Sequence, residues 1–227
     1  MRHVLLDIEG TTTSISFVYD VLFPYAAKRL PTFIPERWSD PAVAKACDLV
    51  LADATGAEHG LEPQDAVLAV LRRQMAGDVK ASGLKTLQGL VWKEGYESGA
   101  VKGHLYADVQ PALERWRAAG VPVAIYSSGS VLAQQLLFRH SMAGDLTPLL
   151  AGHYDTTSGP KREAASYQTI AAAWKVAPSD ILFGTDQPAE AEAARAAGCQ
   201  AVLLMRPGNA PLSPLLPFAV HSDLSVL

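Results

Sequence analysis

Four short apolar runs, each followed by polar turn residues, alternate along the chain with segments of helical periodicity. The runs cover residues 4–6, 121–126, 180–183 and 201–205. Apolar runs of this length, bounded by turn residues, are typical of strands buried on both faces, as in parallel sheets. Strands that alternate with helices build a doubly wound sheet with right-handed crossovers. The sequence therefore predicts an α/β fold around a parallel sheet.

The segment from about residue 16 to residue 104 has a different pattern. Helical periodicity occurs there at residues 43–51, 66–75 and 84–97, and no strand-like run competes with it. We therefore predict a helical insertion after the first strand, with residues 99–108 as the return connection. Several prolines beyond residue 207 predict an irregular surface segment at the end of the chain.

Composition limits the partners and the compartment. The chain has 227 residues and a net charge of −4, and no Lys/Arg run exceeds two residues, so there is no basic footprint for nucleic acid. The three apolar residues before Asp7 are too few for a signal peptide, and no stretch reaches the ~18 apolar residues of a membrane span. Cys47 and Cys199 are expected to be reduced, buried thiols. We expect a soluble, cytoplasmic protein without a membrane partner.

Polar residues lie just after three of the predicted strands. Asp7 ends the first run, Ser127 follows the second, and Asp186 follows the third. Ligands of doubly wound sheets bind at the carboxyl ends of the strands. We therefore expect these three side chains to lie close together.

Asp7 and Glu9 are two residues apart, so on an extended segment they point to the same side. Two neighbouring carboxylates repel unless a cation lies between them or one of them holds a proton. A nucleophilic carboxylate with an acid beside it is a workable arrangement for phosphoryl transfer. The alternative for this segment alone is an acidic turn after a strand.

Asp186 and Glu190 form a second acidic cluster, four residues apart. Hard divalent cations such as Mg²⁺ bind one or two protein carboxylates together with phosphate and water. The alternative is that Asp186 caps a helix whose solvated first turn carries Glu190. Considered with Asp7, the cluster favours a metal site.

Two further positions suit an anion. Ser127 opens the run SSGS between a predicted strand and a predicted helix, where hydroxyl and N–H groups can bind phosphate. Lys161, which we predict to begin a helix, could hold a phosphate and offset carboxylate charge. A simple serine helix cap and an exposed lysine are the alternatives, and Arg162 is expected at the surface.

Taken together, the order carboxylate pair, serine, lysine, carboxylate resembles the four-motif pattern of the haloacid dehalogenase-like hydrolases. The chain is more closely similar to the enolase-phosphatases of methionine salvage within that superfamily. The stretches that carry this similarity are DIEGTTTSISFVYDVLFPYA, GLVWKEGYESGAVKGHLYADVQPALERW, VAIYSSGSVLAQQLLFRHSMAGDLTPLL, DTTSGPKREAASYQTIA and RPGNAPL.

The resemblance implies a Rossmann-like catalytic core formed by residues 1–15 and 105–227, with a helical cap at residues 16–104. It implies a small-molecule substrate, 2,3-diketo-5-methylthiopentyl-1-phosphate, which is enolised and then dephosphorylated to an acireductone. The cap would exclude water from this reaction. It also implies a monomer with one Mg²⁺ per chain.

The resemblance further implies the catalytic and metal-binding residues. Asp7 would be the nucleophile that forms an aspartyl-phosphate and would also ligate the metal. Glu9 stands where most of the superfamily has aspartate; its backbone carbonyl would ligate the metal and its side chain would act as acid or base. Asp186 would complete the metal ligands.

The phosphate contacts follow from the same resemblance. Ser127 and Ser128 would hold the phosphate and substrate, and Lys161 would bridge the phosphate and the nucleophile. The fourth motif departs from the family pattern, since a larger apolar residue and serine are expected before the aspartate at residues 184–185. Glu190 keeps the family spacing and is predicted to support the metal site indirectly.

Other functions stay open from the sequence. The same fold could serve a phosphatase for another small phosphoester, a carbon–halogen hydrolase, or a non-catalytic binding protein. A dehalogenase needs no metal, and a binding protein would not require Asp7 or Lys161, both of which are present.

Overall fold

The computed structural model describes residues 3–213 and 215–227, and six strands of this part form one sheet. The strands are β1 (His3–Leu6), β2 (Val123–Tyr126), β3 (Gly152–Tyr154), β4 (Ile181–Thr185), β5 (Gln200–Leu204) and β6 (Val220–His221). Their order is β3-β2-β1-β4-β5-β6, and every pair is parallel. The predicted α/β fold with a doubly wound parallel sheet is confirmed.

Eight α-helices accompany the sheet in the described residues. They are α1 (Phe23–Glu36), α2 (Pro41–Leu51), α3 (Pro63–Ala76), α4 (Ser82–Glu97), α5 (Val109–Ala118), α6 (Val131–Arg139), α7 (Ala164–Trp174) and α8 (Pro188–Ala196). None of them combines the length and the hydropathy that a bilayer crossing requires. The chain divides into two compact units, one of Met1–Val18 with Lys102–Leu227 and one of Tyr19–Val101.

The second unit contains α1–α4 and is helical. Asp40 starts α2, because its carboxylate accepts the Ala42 N–H at 2.8 Å and Pro41 occupies the first helical position. A π-helical turn, Phe17–Leu22, leads into α1, and the Trp92 indole donates to the Leu22 carbonyl at 2.9 Å. This bond links α4 to the start of α1.

Three elements depart from the sequence expectations. α1 was not predicted, because it contains Pro31 and Pro35, and proline removes helical hydrogen bonds and normally ends a helix. β3 was not predicted either, because three residues are too few for a recognisable strand pattern. The prediction of an irregular surface tail is wrong in part, because β6 pairs with β5 and Leu224 is fully buried.

The sheet register brings three strand ends together. Val4, Leu5 and Leu6 of β1 are fully buried, as expected for a central strand covered on both faces. Leu6 lies beside Ile125 of β2 and Gly184 of β4. The residues that follow β1, β2 and β4 therefore emerge at one edge of the sheet.

Candidate active site

Asp7 lies at this edge and is only 2% exposed. Its Oδ1 accepts the Ile8 N–H at 2.7 Å and lies 2.6 Å from Lys161 Nζ. Its Oδ2 accepts a hydrogen bond from the Thr185 hydroxyl at 3.1 Å. Both carboxylate oxygens therefore have a fixed direction, as a nucleophile held for in-line attack requires.

The Lys161 side chain is 9% exposed and reaches two carboxylates. Its Nζ lies 2.6 Å from Asp7 Oδ1 and 2.7 Å from Glu190 Oε2. Burial lowers the pKa of Lys161, but the charges of Asp7 and Glu190 outweigh it and the net shift is upward. Lys161 is therefore a permanent cation at the strand ends.

Lys161 does not begin a helix as predicted; it lies in the turn before α7, while Arg162 is exposed as expected. Gly159 shapes this turn at φ +118°, where a Cβ would come within 2.2 Å of Ser166 Oγ. The Tyr167 hydroxyl donates to the Lys161 carbonyl at 2.7 Å. This contact with the Lys161 backbone helps to keep the residue in the turn and outside α7.

Glu190 shares Lys161 with Asp7, and its Oε2 lies 2.9 Å from the Thr185 hydroxyl. The single proton of that hydroxyl is shared between Glu190 and Asp7 Oδ2. Burial, followed by the negative charge of Asp7, raises the pKa of Glu190. One lysine charge cannot neutralise two buried carboxylates, so the network holds surplus negative charge or a shared proton.

Glu9 and Ser127 meet on the other side of Asp7. The buried Ser127 hydroxyl donates to Glu9 Oε2 at 3.3 Å and accepts the Gly129 N–H at 3.1 Å. Ser128 is exposed beside it. Burial and the neighbouring Asp7 charge raise the pKa of Glu9, which favours a carboxyl group able to hold a proton.

Asp186 is 7% exposed and accepts a hydrogen bond from the Gln187 amide at 2.9 Å. Burial, followed by the charge of Asp7, raises the pKa of Asp186 to about 6. Its carboxylate packs directly on Gly10, where a Cβ would lie 2.5 Å from Asp186 Oδ2 and 3.0 Å from Asn209 Oδ1. Gly10 has φ +69°, so glycine is required here both for space and for the backbone conformation.

The donor set fits a hard divalent cation. The buried cluster holds the carboxylates of Asp7, Glu190 and Asp186 beside the partly exposed Glu9, against the single cation Lys161. The described residues contain no group of three His, Cys, Asp or Glu side chains placed as a complete metal site. Mg²⁺ does not need one, because it keeps several waters and takes one or two carboxylates together with phosphate.

The Asn209 side chain is a second indication that a cation or a hydrogen-bond donor lies beside Asp186. Its Oδ1 is buried and has no hydrogen-bond partner in the described structure, and it approaches the same face of Gly10 as Asp186 Oδ2. Asp186 Oδ2 already accepts a hydrogen bond from the Gln187 amide, so Asn209 Oδ1 is the oxygen left without a donor. A buried acceptor of this kind is unfavourable unless a cation or its water ligand lies near it.

Without divalent cation, Asp186 should make stability depend on pH. Its raised pKa means that the folded state binds the proton more tightly, so the contribution is present below about pH 4 and lost as the pH rises through about 6. Asp186→Asn should therefore be more stable than the parent at pH 7.5 in EDTA, by on the order of 2–3 kcal/mol. Urea unfolding at pH 4 and pH 7.5 measures this difference. An Asp186→Asn effect that is equal at both pH values would contradict the assignment.

The structure thus brings together Asp7, Glu9, Ser127, Lys161 and Asp186 at one sheet edge, with Ser128 at its exposed side. Sequence patterns did not identify several residues that hold them: Thr185, Tyr126, whose hydroxyl donates to the Gly159 carbonyl at 2.8 Å, Tyr167, Arg206 and Asn209. Thr185 is the last residue of β4, and its place between an apolar run and Asp186 was a signal that the sequence offered. The two tyrosines and the Arg206–Asn209 turn support the site through tertiary hydrogen bonds, which local sequence patterns do not indicate.

Comparison with known proteins identifies the class to which this fold and site belong. The family of haloacid dehalogenase-like hydrolases matches residues 1–198. The dehalogenase of one crystal structure aligns with 100% of this chain and 95% of its own, with a TM-score of 0.58 at 18% identity, a likeness of fold alone.

Relatives of higher sequence identity show which family of these hydrolases the chain belongs to. Enolase-phosphatase E1 of Synechococcus elongatus is 52% identical, covering 91% of this chain and 90% of the relative. The Drosophila melanogaster protein of the same name is 49% identical, covering 92% and 85%. The crystal structure of the UTR4 protein of Saccharomyces cerevisiae aligns with 100% of this chain and 99% of its own, at a TM-score of 0.84 and 35% identity. The chain belongs to the enolase-phosphatase family of the haloacid dehalogenase-like hydrolases, and it is a phosphatase.

Proposed function

We propose that this protein is a Mg²⁺-dependent enolase-phosphatase of methionine salvage, with Asp7 as its nucleophile. Its substrate is 2,3-diketo-5-methylthiopentyl-1-phosphate, which it converts through an enol to an acireductone and phosphate. The observation that carries the proposal is the ion pair of 2.6 Å between Lys161 Nζ and Asp7 Oδ1, with Asp186 and Glu9 at the same sheet edge. The identity of about half of all residues to named enolase-phosphatases supports the substrate.

One Mg²⁺ per chain would be held by the carboxylates of Asp7 and Asp186 and by the backbone carbonyl of Glu9. When bound, the cation neutralises phosphate charge and polarises the substrate oxygens. Burial, followed by the charge of Asp7, raises the pKa values of Asp186 and Glu190. Both shifts support this assignment, because a nearby cation would favour the charged carboxylates.

In the first transfer step, a carboxylate oxygen of Asp7 forms a bond to phosphorus while the phosphorus–enol oxygen bond breaks. The leaving oxygen takes a proton from Glu9, whose raised pKa keeps that proton available. Lys161 and the Ser127 hydroxyl stabilise charge on the phosphoryl oxygens, with Ser128 at the open side. The product of this step is an aspartyl-phosphate on Asp7.

In the second step, a water molecule attacks phosphorus, and Glu9 accepts one of its protons. The bond between phosphorus and Asp7 then breaks, which releases phosphate and regenerates the carboxylate. Lys161 again offsets the negative charge that returns to Asp7, since their ion pair is already formed in the resting site.

We further propose a division of the chain into two domains, in which residues 16–104 form a cap and residues 1–15 with 105–227 form the catalytic core. We propose that the enzyme acts as a cytoplasmic monomer on a small-molecule phosphoester and binds neither nucleic acid nor membrane.

The substrate assignment is tested by phosphorus and proton NMR of the diketone phosphate with enzyme and Mg²⁺. The expected result is loss of the α-carbon proton signal by enolisation together with release of inorganic phosphate. Equal or faster release from a panel of sugar phosphates, without enolisation of the diketone, would instead identify a phosphatase for another phosphoester. No release even from an aryl phosphate would leave only a binding role.

A further inference from the structure

The turn after β5 holds two successive carbonyls of the loop that follows Asp7. Asn209 Nδ2 donates to the Gly10 carbonyl at 2.9 Å, and Arg206 Nε donates to the Thr11 carbonyl at 2.9 Å. These two bonds join residues that are about two hundred positions apart in the chain. They restrain the backbone next to Glu9 from outside its own loop.

Arg206, at one end of the turn, is itself rigidly held. Its guanidinium makes a bidentate pair with Asp108 at 3.0 and 2.8 Å and donates to the Ser222 carbonyl at 3.0 Å. It also stacks 4.6 Å from the centre of the Tyr106 ring. A buried, bidentate arginine of this kind is well ordered, so the turn offers a fixed support.

The orientation of the Asn209 amide is determined by its partners. Nδ2 donates to the Leu204 carbonyl at 3.2 Å as well as to Gly10, and carbonyls accept hydrogen bonds but cannot donate them. Oδ1 must therefore be the atom that approaches the face of Gly10 covered by Asp186. That oxygen is buried and has no partner in the described structure.

Gly10 is consequently enclosed from two sides. A Cβ on it would lie 2.5 Å from Asp186 Oδ2 and 3.0 Å from Asn209 Oδ1. Movement of Gly10 would displace the carboxylate of Asp186 and the adjacent carbonyl of Glu9. Displacements near 1 Å at a reacting centre can cost about 100-fold in rate.

We propose that Asn209 is a positioning residue of the active site, which fixes Gly10 and through it the Glu9 carbonyl and the Asp186 carboxylate. Its Nδ2 fixes the loop by its bond to the Gly10 carbonyl. Its Oδ1 lies on the side of Gly10 that Asp186 covers, where it would accept a hydrogen bond from a water molecule held by the cation. The inference rests on the proposed Mg²⁺ site and extends it to a residue beyond the four motifs. Asn209 does not touch the reacting atoms and is not a catalytic residue.

The test compares Asn209→Ala and Asn209→Leu with a matched control, Gln200→Ala. Gln200 is an exposed amide on the opposite end of β5 that likewise donates to a backbone carbonyl, Ser179, at 3.2 Å. Isothermal titration of substrate-free protein with MgCl₂ should show affinity reduced at least about fivefold in both Asn209 variants. The control should bind Mg²⁺ as the parent does.

Kinetics of the same variants complete the test. At saturating Mg²⁺, both Asn209 variants should lose about 10-fold in kcat with little change in KM, because the substrate contacts remain. Asn209→Leu keeps the branched shape of the side chain but not its polar atoms, so restored affinity in that variant would assign the effect to packing and overturn the proposal. Parent-like Mg²⁺ affinity in Asn209→Ala would overturn it equally. If the parent itself failed to bind Mg²⁺ or to release phosphate, the proposed function would fall instead.

Discussion

Replacing Asp7 by asparagine should reduce kcat by at least about 10⁴-fold and abolish the phosphoenzyme. The amide is a poor nucleophile and cannot form the aspartyl-phosphate, while its size matches the carboxylate. Lys161 keeps Glu190 as its partner at 2.7 Å, so the fold should persist. Rapid-quench trapping with mass spectrometry measures the covalent intermediate, and phosphate release measures turnover.

The matched control for this change is Asp48→Asn, because Asp48 is exposed on α2 in the other compact unit. It should leave turnover unchanged. Near-parental turnover in Asp7→Asn would eliminate Asp7 as the nucleophile. A phosphorylated peptide other than the one containing Asp7 would do the same.

Lys161→Met should produce the second large effect, on both activity and stability. The change leaves Asp7 and Glu190 buried without their shared cation, which costs about 3–5 kcal/mol. Loss of its charge from the phosphoryl oxygens should lower kcat by about 10²- to 10³-fold. Urea unfolding at pH 8 and initial rates at saturating Mg²⁺ measure the two effects.

Arg162→Met is the control for Lys161→Met, since Arg162 is the exposed neighbour in the same turn. It removes a charge of the same sign without affecting the carboxylates. The stability loss of Lys161→Met should shrink at pH 5, where Glu190 with its raised pKa becomes protonated. A loss that is equal at both pH values would refute a stabilising role of the lysine charge.

The strands that the sequence predicted correctly are those in which burial requires apolar residues. The runs around β1, β2, β4 and β5 are apolar because both faces of a parallel strand are covered. Polar residues just after such runs must lie at the sheet edge, which is why the sequence alone places Asp7, Ser127 and Asp186 together.

Elements with weak local signals were not predictable. α1 forms despite Pro31 and Pro35, because packing of its buried residues outweighs lost helical hydrogen bonds. β6 has two residues and exists only as a partner of β5. The buried thiols were predictable, since Cys47 and Cys199 are both free and buried as expected.

The sequence by itself determined that Asp7 follows a buried strand and that its carboxylate could serve as a nucleophile. The tertiary structure decided which groups surround it. Lys161 reaches both Asp7 and Glu190, and Asn209 reaches the loop from a position 199 residues beyond Gly10. Such contacts depend on how distant segments pack against one another, whereas composition and periodicity report only on neighbours along the chain.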